Sequence, residues 1–349
     1  MATMVDAVNT KPFQLLEMVE AVNKLPWQPG QAGMAANWVE RGIATTSIEV
    51  EERNGVLTLV SASQRGGPSA QYKPAKRTVR TLTTPRLSIE DQINAHELQN
   101  VRTFGTADQL QALSQIRDEH LGDMVSAIRV TWEHMQLNAL KGIVLDADGA
   151  TQIADLFTIF GITQESEVAF DLTNTTAGTL TGKLATTRRT LLNNLGADAV
   201  MVDHIRVLCS SSFFDALVIN KDVLDWAKIQ PNSEYLRQSR VFGKLEWQGF
   251  VFEEYRVGTA TGNDAGSLAS SGAWIADDKC VIFPVGPNIY RQYFAPGEFF
   301  GAVNTLGLPL YARTAADTKW DEFIGLKVQS YPLPICTRPA VLMKGKKGS

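Results

Sequence analysis

The clearest pattern along the chain is a run of apolar residues at helical spacing. Leu110, Leu113, Leu121, Met124, Val125, Ile128, Trp132, Met135 and Ala139 recur with a 3.6-residue period. Thr106 suits the N-cap and Gly142 the stop, so one helix is predicted over 106–141. At 1.5 Å per residue such a helix runs about 50 Å, longer than a small domain is wide. It can serve as a backbone on which sheets are hung.

Ahead of it the period changes to two. TTSIEVEERNGVLTLV and KRTVRTLTT predict the two arms of a long β-hairpin over 46–84, joined by SASQRGGPSAQYKPA, which is rich in Gly, Pro and small polar residues. A two-stranded ribbon is marginal alone in water. The segment is therefore either part of an internal sheet or a protruding loop that docks on another subunit. Residues 1–45 read as an arm. Phe13, Leu15, Leu16, Met18 and Val19 can line a short helix over 12–24, and Pro26, Pro29, Gly30 and Gly33 then break regularity. Trp27 and Trp38 stand in this loose context and need a covering surface, on the same chain or on a neighbour.

Beyond the long helix, two short strands flank Asp146-Ala147-Asp148-Gly149, and residues 177–196 form a helix ending at Gly196. Residues 200–227 read as the strand VDHIRVLCS followed by one helix, SSSFFDALVINKDVLDWAK. LEWQGFVFEEYRVG (245–258), KCVIFPVG and GLKVQSYPLPICTRPAVLMK are strand-like, residues 259–272 are a loop, and GKKGS is a tail. The class is α+β.

Composition narrows the function. Of 349 residues 44% are hydrophobic, enough for a sizeable core, and the formal net charge is −4. That balance gives no broad pull toward nucleic-acid phosphates. Cys209, Cys280 and Cys336 are sparse and far apart, which fits synthesis in a reducing compartment and gives neither a disulfide framework nor a zinc motif. No stretch reaches 18 apolar residues, and the N-terminus has no signal-peptide pattern, so no membrane is expected.

Candidate chemistry is thin. P-loop, GxGxxG, GxSxG and HExxH motifs are all missing. His96, His120, His134 and His204 share no metal spacing. Asp146 and Asp148 begin like a calcium loop, but the residues after them supply no further oxygens at the right offsets, and a tight turn is the better reading. A hydrolase built on Asp203, His204 and Ser210–Ser212 has no spacing that assembles a triad. Catalytic, cofactor-binding and metal-binding residues are therefore expected to be absent.

Charge clusters suggest contacts instead. Arg65, Lys73, Lys76, Arg77 and Arg80 make one end of the hairpin basic, and Glu49, Glu51 and Glu52 make its first strand acidic. Docking between subunits and cross-strand pairing inside the hairpin both account for this arrangement. Arg188 and Arg189, with Lys183, form a basic spot on the 177–196 helix. It reads first as a solvated face, and second as a contact for phosphate or an acidic neighbour.

Three stretches carry a family resemblance: WQGFVFEEYRVG (247–258), FPVGPNIYRQYFAPGEFFGAVNTLGLPLYAR (283–313) and QSYPLPICTRPAVLMK (329–344). Their order resembles the major capsid protein E family of tailed phages, the lambda-like group, although Tyr331 stands where that pattern has Asn. The VLDADG turn followed by LFTIFG is similar too. The resemblance implies a Hong Kong 97-type fold with an N-terminal arm (1–45), an extended loop (46–85) and a peripheral domain (86–199) with spine helix 106–141. An axial domain (200–310) follows, and the remainder (311–349) returns to the peripheral domain and ends in the tail. It implies self-assembly into hexamers and pentamers of an icosahedral head shell, with arm and loop reorganising as the shell expands. The implied partners are other copies of the chain, a separate scaffold protein, a portal, a decoration protein, and packaged double-stranded DNA contacted weakly and non-specifically. The implied location is the virion, after assembly in the host cytoplasm. An encapsulin-like cargo compartment is the lesser alternative.

Overall fold

The computed structural model describes residues 30–53, 77–98, 109–229, 243–255, 274–320 and 322–348. Trp27, Arg65, Lys73, Lys76, the 12–24 helix and the 259–272 loop lie outside the described residues.

The predicted long helix is present as α2, Gln109–Leu140; ahead of it α1, Gln31–Ala35, is one short turn. α2 ends where expected. Gly142 adopts φ +94, and its N–H bonds the Ala139 carbonyl at 3.0 Å. Its apolar stripe serves two units in succession. Leu121, Met124, Val125, Ile128 and Trp132 pack on a three-stranded sheet of order β13-β14-β4. Those strands are β4 (Leu87–Asn94), β13 (Tyr311–Ala316) and β14 (Phe323–Ser330). Ile93, Ala312, Ile324, Leu326 and Val328 face the helix from the sheet.

From Trp132 to Leu140 every residue is buried, because the helix there leaves the sheet and enters the main core. That core lies around a six-stranded sheet of order β7-β16-β11-β8-β10-β9. Its strands are β7 (Val168–Ala169), β8 (His204–Cys209), β9 (Lys244–Trp247), β10 (Phe250–Glu254), β11 (Lys279–Val285) and β16 (Met343–Lys346). β9 and β10 turn at Gln248-Gly249, both at positive φ (52° and 81°), the geometry of a tight hairpin whose twist matches its strands. The helices here are α3 (Leu156–Phe160), α4 (Thr179–Leu195), α5 (Ser211–Ile219) and α6 (Lys221–Ile229). Leu180, Leu184, Leu191, Phe213 and Val223 carry α4, α5 and α6 into the core.

The single helix expected after β8 is two. Asn220 has ψ 140, its side chain donates to the Leu172 carbonyl at 2.9 Å, and its Oδ1 accepts from Asp222 N at 3.0 Å. A side chain that caps the second helix from inside the first interrupts both. A third sheet, β1-β12-β15, joins Val39–Gly42, Tyr290–Phe294 and Pro332–Cys336. After residue 311 the chain contributes to more than one sheet. β13 and β14 join β4 over the long helix, whereas β16 enters the six-stranded sheet, where Val341, Leu342 and Met343 are buried. The short strands β5 (Ile143–Leu145) and β6 (Gln152–Asp155) flank the Asp146–Gly149 turn as read from the sequence.

β2 (Ser47–Arg53) and β3 (Arg77–Thr83) pair antiparallel, from Ser47↔Thr83 to Arg53↔Arg77. This is a ribbon of its own, joined to no other sheet among the described residues.

Candidate assembly interface

The hairpin register decides how its charges relate. Glu49 lies opposite Thr81, Glu51 opposite Val79, Arg80 opposite Val50, and Arg77 opposite Arg53. Directly opposite pairing therefore matches no acid with a base among these residues. For Glu49, Glu51 and Arg77 the described structure extends to the backbone. Arg80 is engaged inside the chain. Its guanidinium donates to the Ile159 carbonyl and, at 3.2 Å, to the Phe160 carbonyl, and it lies 5.8 Å from the Phe160 ring centre. A cation at the last carbonyls of α3 is favoured by the helix dipole. Arg80 thus fastens the base of the ribbon to the body.

Trp38 is also covered by its own chain. Its indole meets Tyr290 edge-on at 5.6 Å, and its N–H donates to the Ala32 carbonyl at 3.2 Å. Arg188 and Arg189 are exposed on α4 and their side chains make no hydrogen bond or ion pair with the described residues, whereas Lys183 lies 3.5 Å from Asp171.

The α1 stretch, within the expected arm, is held by a residue that sequence reading missed. Glu133 of α2 is only 4% exposed. It accepts from Ala32 N at 2.6 Å, from Gly33 N at 3.1 Å and from the Tyr255 hydroxyl at 3.0 Å. Burial raises the Glu133 carboxyl above its ordinary range against the pull of those three donors, and burial beside that carboxylate raises the Tyr255 hydroxyl. One carboxylate therefore ties α1, the long helix and the end of β10 together. Gln31 adds a hydrogen bond to the Glu254 carbonyl at 2.7 Å. The clue in the sequence is that Trp132–Leu140 holds one acid and no Lys or Arg, unlike the charged turns before it. Beyond the helix end, Lys141 donates to the Trp274 carbonyl, and burial, aided by Lys344, lowers its ammonium to about 8.

The catalytic candidates do not assemble. His204 contacts Asp203 at 3.0 Å, but Ser210 lies past the opposite end of β8, roughly 20 Å away by strand rise. Ser210 instead caps α5 by accepting from Phe213 N, and Ser212 accepts from Asp278 N at 2.8 Å. Asp148 accepts from Ala150 N at 2.9 Å, Thr151 N at 2.8 Å and the Thr151 hydroxyl at 2.5 Å, so the turn itself occupies its carboxylate. Among the described residues no three His, Cys, Asp or Glu side chains gather where a metal could sit. A shallow groove of about 670 Å³ crosses the three-stranded sheet, but its charged residues pair locally: Lys327 with Glu90, and Asp91 with His120 at 2.7 Å.

What the surface does offer is apolar. Phe300, Val303, Leu306 and Leu308 project from the turn between β12 and β13, with Phe300 fully exposed, and Val200 and Met201 project after α4. Such residues on a folded surface mark contacts with other macromolecules more often than catalysis.

Comparison with known proteins agrees. The chain is 25% identical over 357 residues to a major capsid protein of Salmonella phage Felix O1, covering 95% of both chains. It is 24% identical to that of Pseudomonas phage KPP10, covering 86% of this chain and 87% of the relative. Among solved structures, the capsid of cyanophage P-SCSP1u matches with TM-score 0.55 and 11% identity over 93% of this chain and 91% of that one. The mature capsid of bacteriophage PhiM1 matches with TM-score 0.51 and 14% identity over 92% and 88%. The fold is the Hong Kong 97 type, and the relatives are structural proteins rather than enzymes. The description Phage major capsid protein E matches residues 14–347, and the chain belongs to that family.

Proposed function

We propose that this chain is the major shell subunit of a tailed-phage head, assembling with copies of itself into hexamers and pentamers that enclose the DNA genome. The observation that carries this reading is the family match over residues 14–347. The cargo-compartment alternative is not favoured, since the curated relatives are phage major capsid proteins. The subunit resides in the virion, and assembly takes place in the host cytoplasm.

The proposed division of labour follows the expected segments. Residues 1–45 are the arm, 46–85 the extended loop, 86–199 the peripheral domain, 200–310 the axial domain, and 311–349 the return to the peripheral domain and the C-terminal tail. The long helix joining two cores supports a rigid tile, and the separate β2–β3 ribbon supports a part that reaches beyond it. Trp27, Arg65, Lys73, Lys76 and Arg77 are the proposed contacts of arm and loop with neighbouring subunits, together with Glu49, Glu51 and the exposed pair Arg188 and Arg189. Each contact is weak alone, at about 25 cal/mol per Å² of apolar surface covered. Many of them in a closed lattice act together. A scaffold, a portal and a decoration protein are the further partners, and the net charge of −4 suits an interior that holds DNA without gripping it.

Sedimentation and light scattering of the expressed chain, with its scaffold supplied, test the reading. Large closed particles are expected. Compact monomers alone under those conditions would overturn it.

A further inference from the structure

The turn between β12 and β13 combines a hydrogen-bonded backbone with an apolar exterior. Four large apolar residues within nine positions face outward: Phe300 is 104% exposed, Leu306 67%, Val303 53% and Leu308 41%. The loop beneath them is tied by its own hydrogen bonds. Ala302 N and Val303 N donate to the Phe299 carbonyl at 2.8 and 3.2 Å. Thr305 reaches the Ala302 carbonyl through its N–H at 3.2 Å and its hydroxyl at 2.7 Å. Phe299, the neighbour of Phe300, is buried against Tyr311 at 5.4 Å with the Arg313 guanidinium 4.7 Å from its ring.

Both ends of the turn are fixed to the body. Glu298 N donates to the Tyr331 hydroxyl at 3.3 Å, Leu308 N to the Tyr311 hydroxyl at 2.8 Å, and Gly307 N to the Ile43 carbonyl at 2.9 Å. Gly307 packs so closely on Phe294 and Ala295 that a side chain there would collide with backbone. Phe300 is therefore held outward by a rigid frame. The backbone part of the cost of presenting it to a partner has already been met in the folded subunit.

We infer that the Phe300 turn, with Val303, Leu306 and Leu308, docks on a second copy of this chain in the shell; the inference rests on the proposed function. The four side chains expose roughly 400–500 Å², the upper range for a patch that a monomer tolerates. That is well below the ~800 Å² each partner gives a stable pair. A contact of this size does not hold a dimer, but it adds usefully when repeated around a closed lattice. Rings of more than two copies need two different faces on each subunit. Val200 and Met201, 92% and 66% exposed, supply a second apolar face. The Met201 backbone lies beside Gly286, ahead of β12, whereas the turn follows its far end, about 17 Å along the strand.

The test is Phe300→Asp against Phe300→Leu and wild type in the full chain. Circular dichroism and the thermal midpoint of unassembled subunits are read first, and then the protein concentration at which particles appear in electron micrographs. Because Phe300 packs against none of the described residues of its own chain, the Phe300→Asp subunit is expected to keep the wild-type midpoint and to raise the assembly concentration about tenfold or more, or to abolish assembly. Phe300→Leu is expected to assemble close to wild type. A folded Phe300→Asp subunit that assembles at wild-type concentration overturns the inference, and so does one whose midpoint falls, since that would show Phe300 packed internally. If wild type itself forms no particles, it is the proposed function that fails.

Discussion

Replacing Glu133 with alanine tests how α1 is held to the tile. The substitution removes one acceptor group from three donors: Ala32 N, Gly33 N and the Tyr255 hydroxyl. Ala32, Gly33 and Tyr255 are buried, and an unsatisfied buried donor costs about 1–3 kcal/mol. Part of that loss is offset, because the carboxylate itself resists burial, as its raised pKa records. A net loss of about 2–4 kcal/mol is expected. The sharpest assay is amide hydrogen exchange at Ala32 and Gly33 in unassembled subunits. Protection there should fall by about two orders of magnitude, while the six-stranded sheet far from the site keeps its own. Wild-type exchange at both amides in Glu133→Ala would refute the clamp.

Acidity gives the same site a second signature. The folded pKa of Glu133 lies above its unfolded value, so between the two the native state binds more protons. The contribution of this group is therefore greatest below the ordinary glutamate range. It falls as pH rises through the raised folded value and is constant above it. Glu133→Gln should lack that decline.

Two further predictions concern the thiols and the loop. Burial raises the Cys209 thiol well above its ordinary range and pushes Cys336 up to about 12, and Cys280 is buried beside Cys209. The native subunit at pH 8 should therefore react with an aromatic disulfide reagent far more slowly than the denatured chain, which should titrate all three thiols; native reaction at the free-cysteine rate would contradict the burial. Deleting residues 60–75 leaves the paired positions 47–53 and 77–83 intact, so the subunit should fold with an unchanged thermal midpoint yet fail to form stable shells. Normal particles from that deletion would show that the segment is no clamp between subunits.

The parts of the fold legible in the sequence are those whose signal is local. Leu121 to Ala139 revealed the long helix because one face meets core along its length. Gly142 and Gly196 marked helix ends because each takes a backbone angle that other residues resist. What escaped depends on tertiary surroundings. Asn220 looks like an ordinary polar helix residue until Leu172 comes within reach of its amide. Glu133 reads as a solvated acid until α1 and Tyr255 fold over it. Phe299 and Phe300 are adjacent and chemically identical, and only the packing of Tyr311 and Arg313 decides that one is core and the other surface. Arg80 belonged to a patch read for docking, but the nearness of α3 turned it inward.

The central claim is that copies of this chain close into a shell. Electron microscopy of particles formed by the purified chain with its scaffold tests it most directly. The account predicts closed icosahedral shells whose hexamer and pentamer density accepts this fold, with the Phe300 turn at a boundary between neighbouring subunits. Reconstruction of discrete small oligomers with no closed symmetry, or of a shell in which that turn faces solvent, would contradict it.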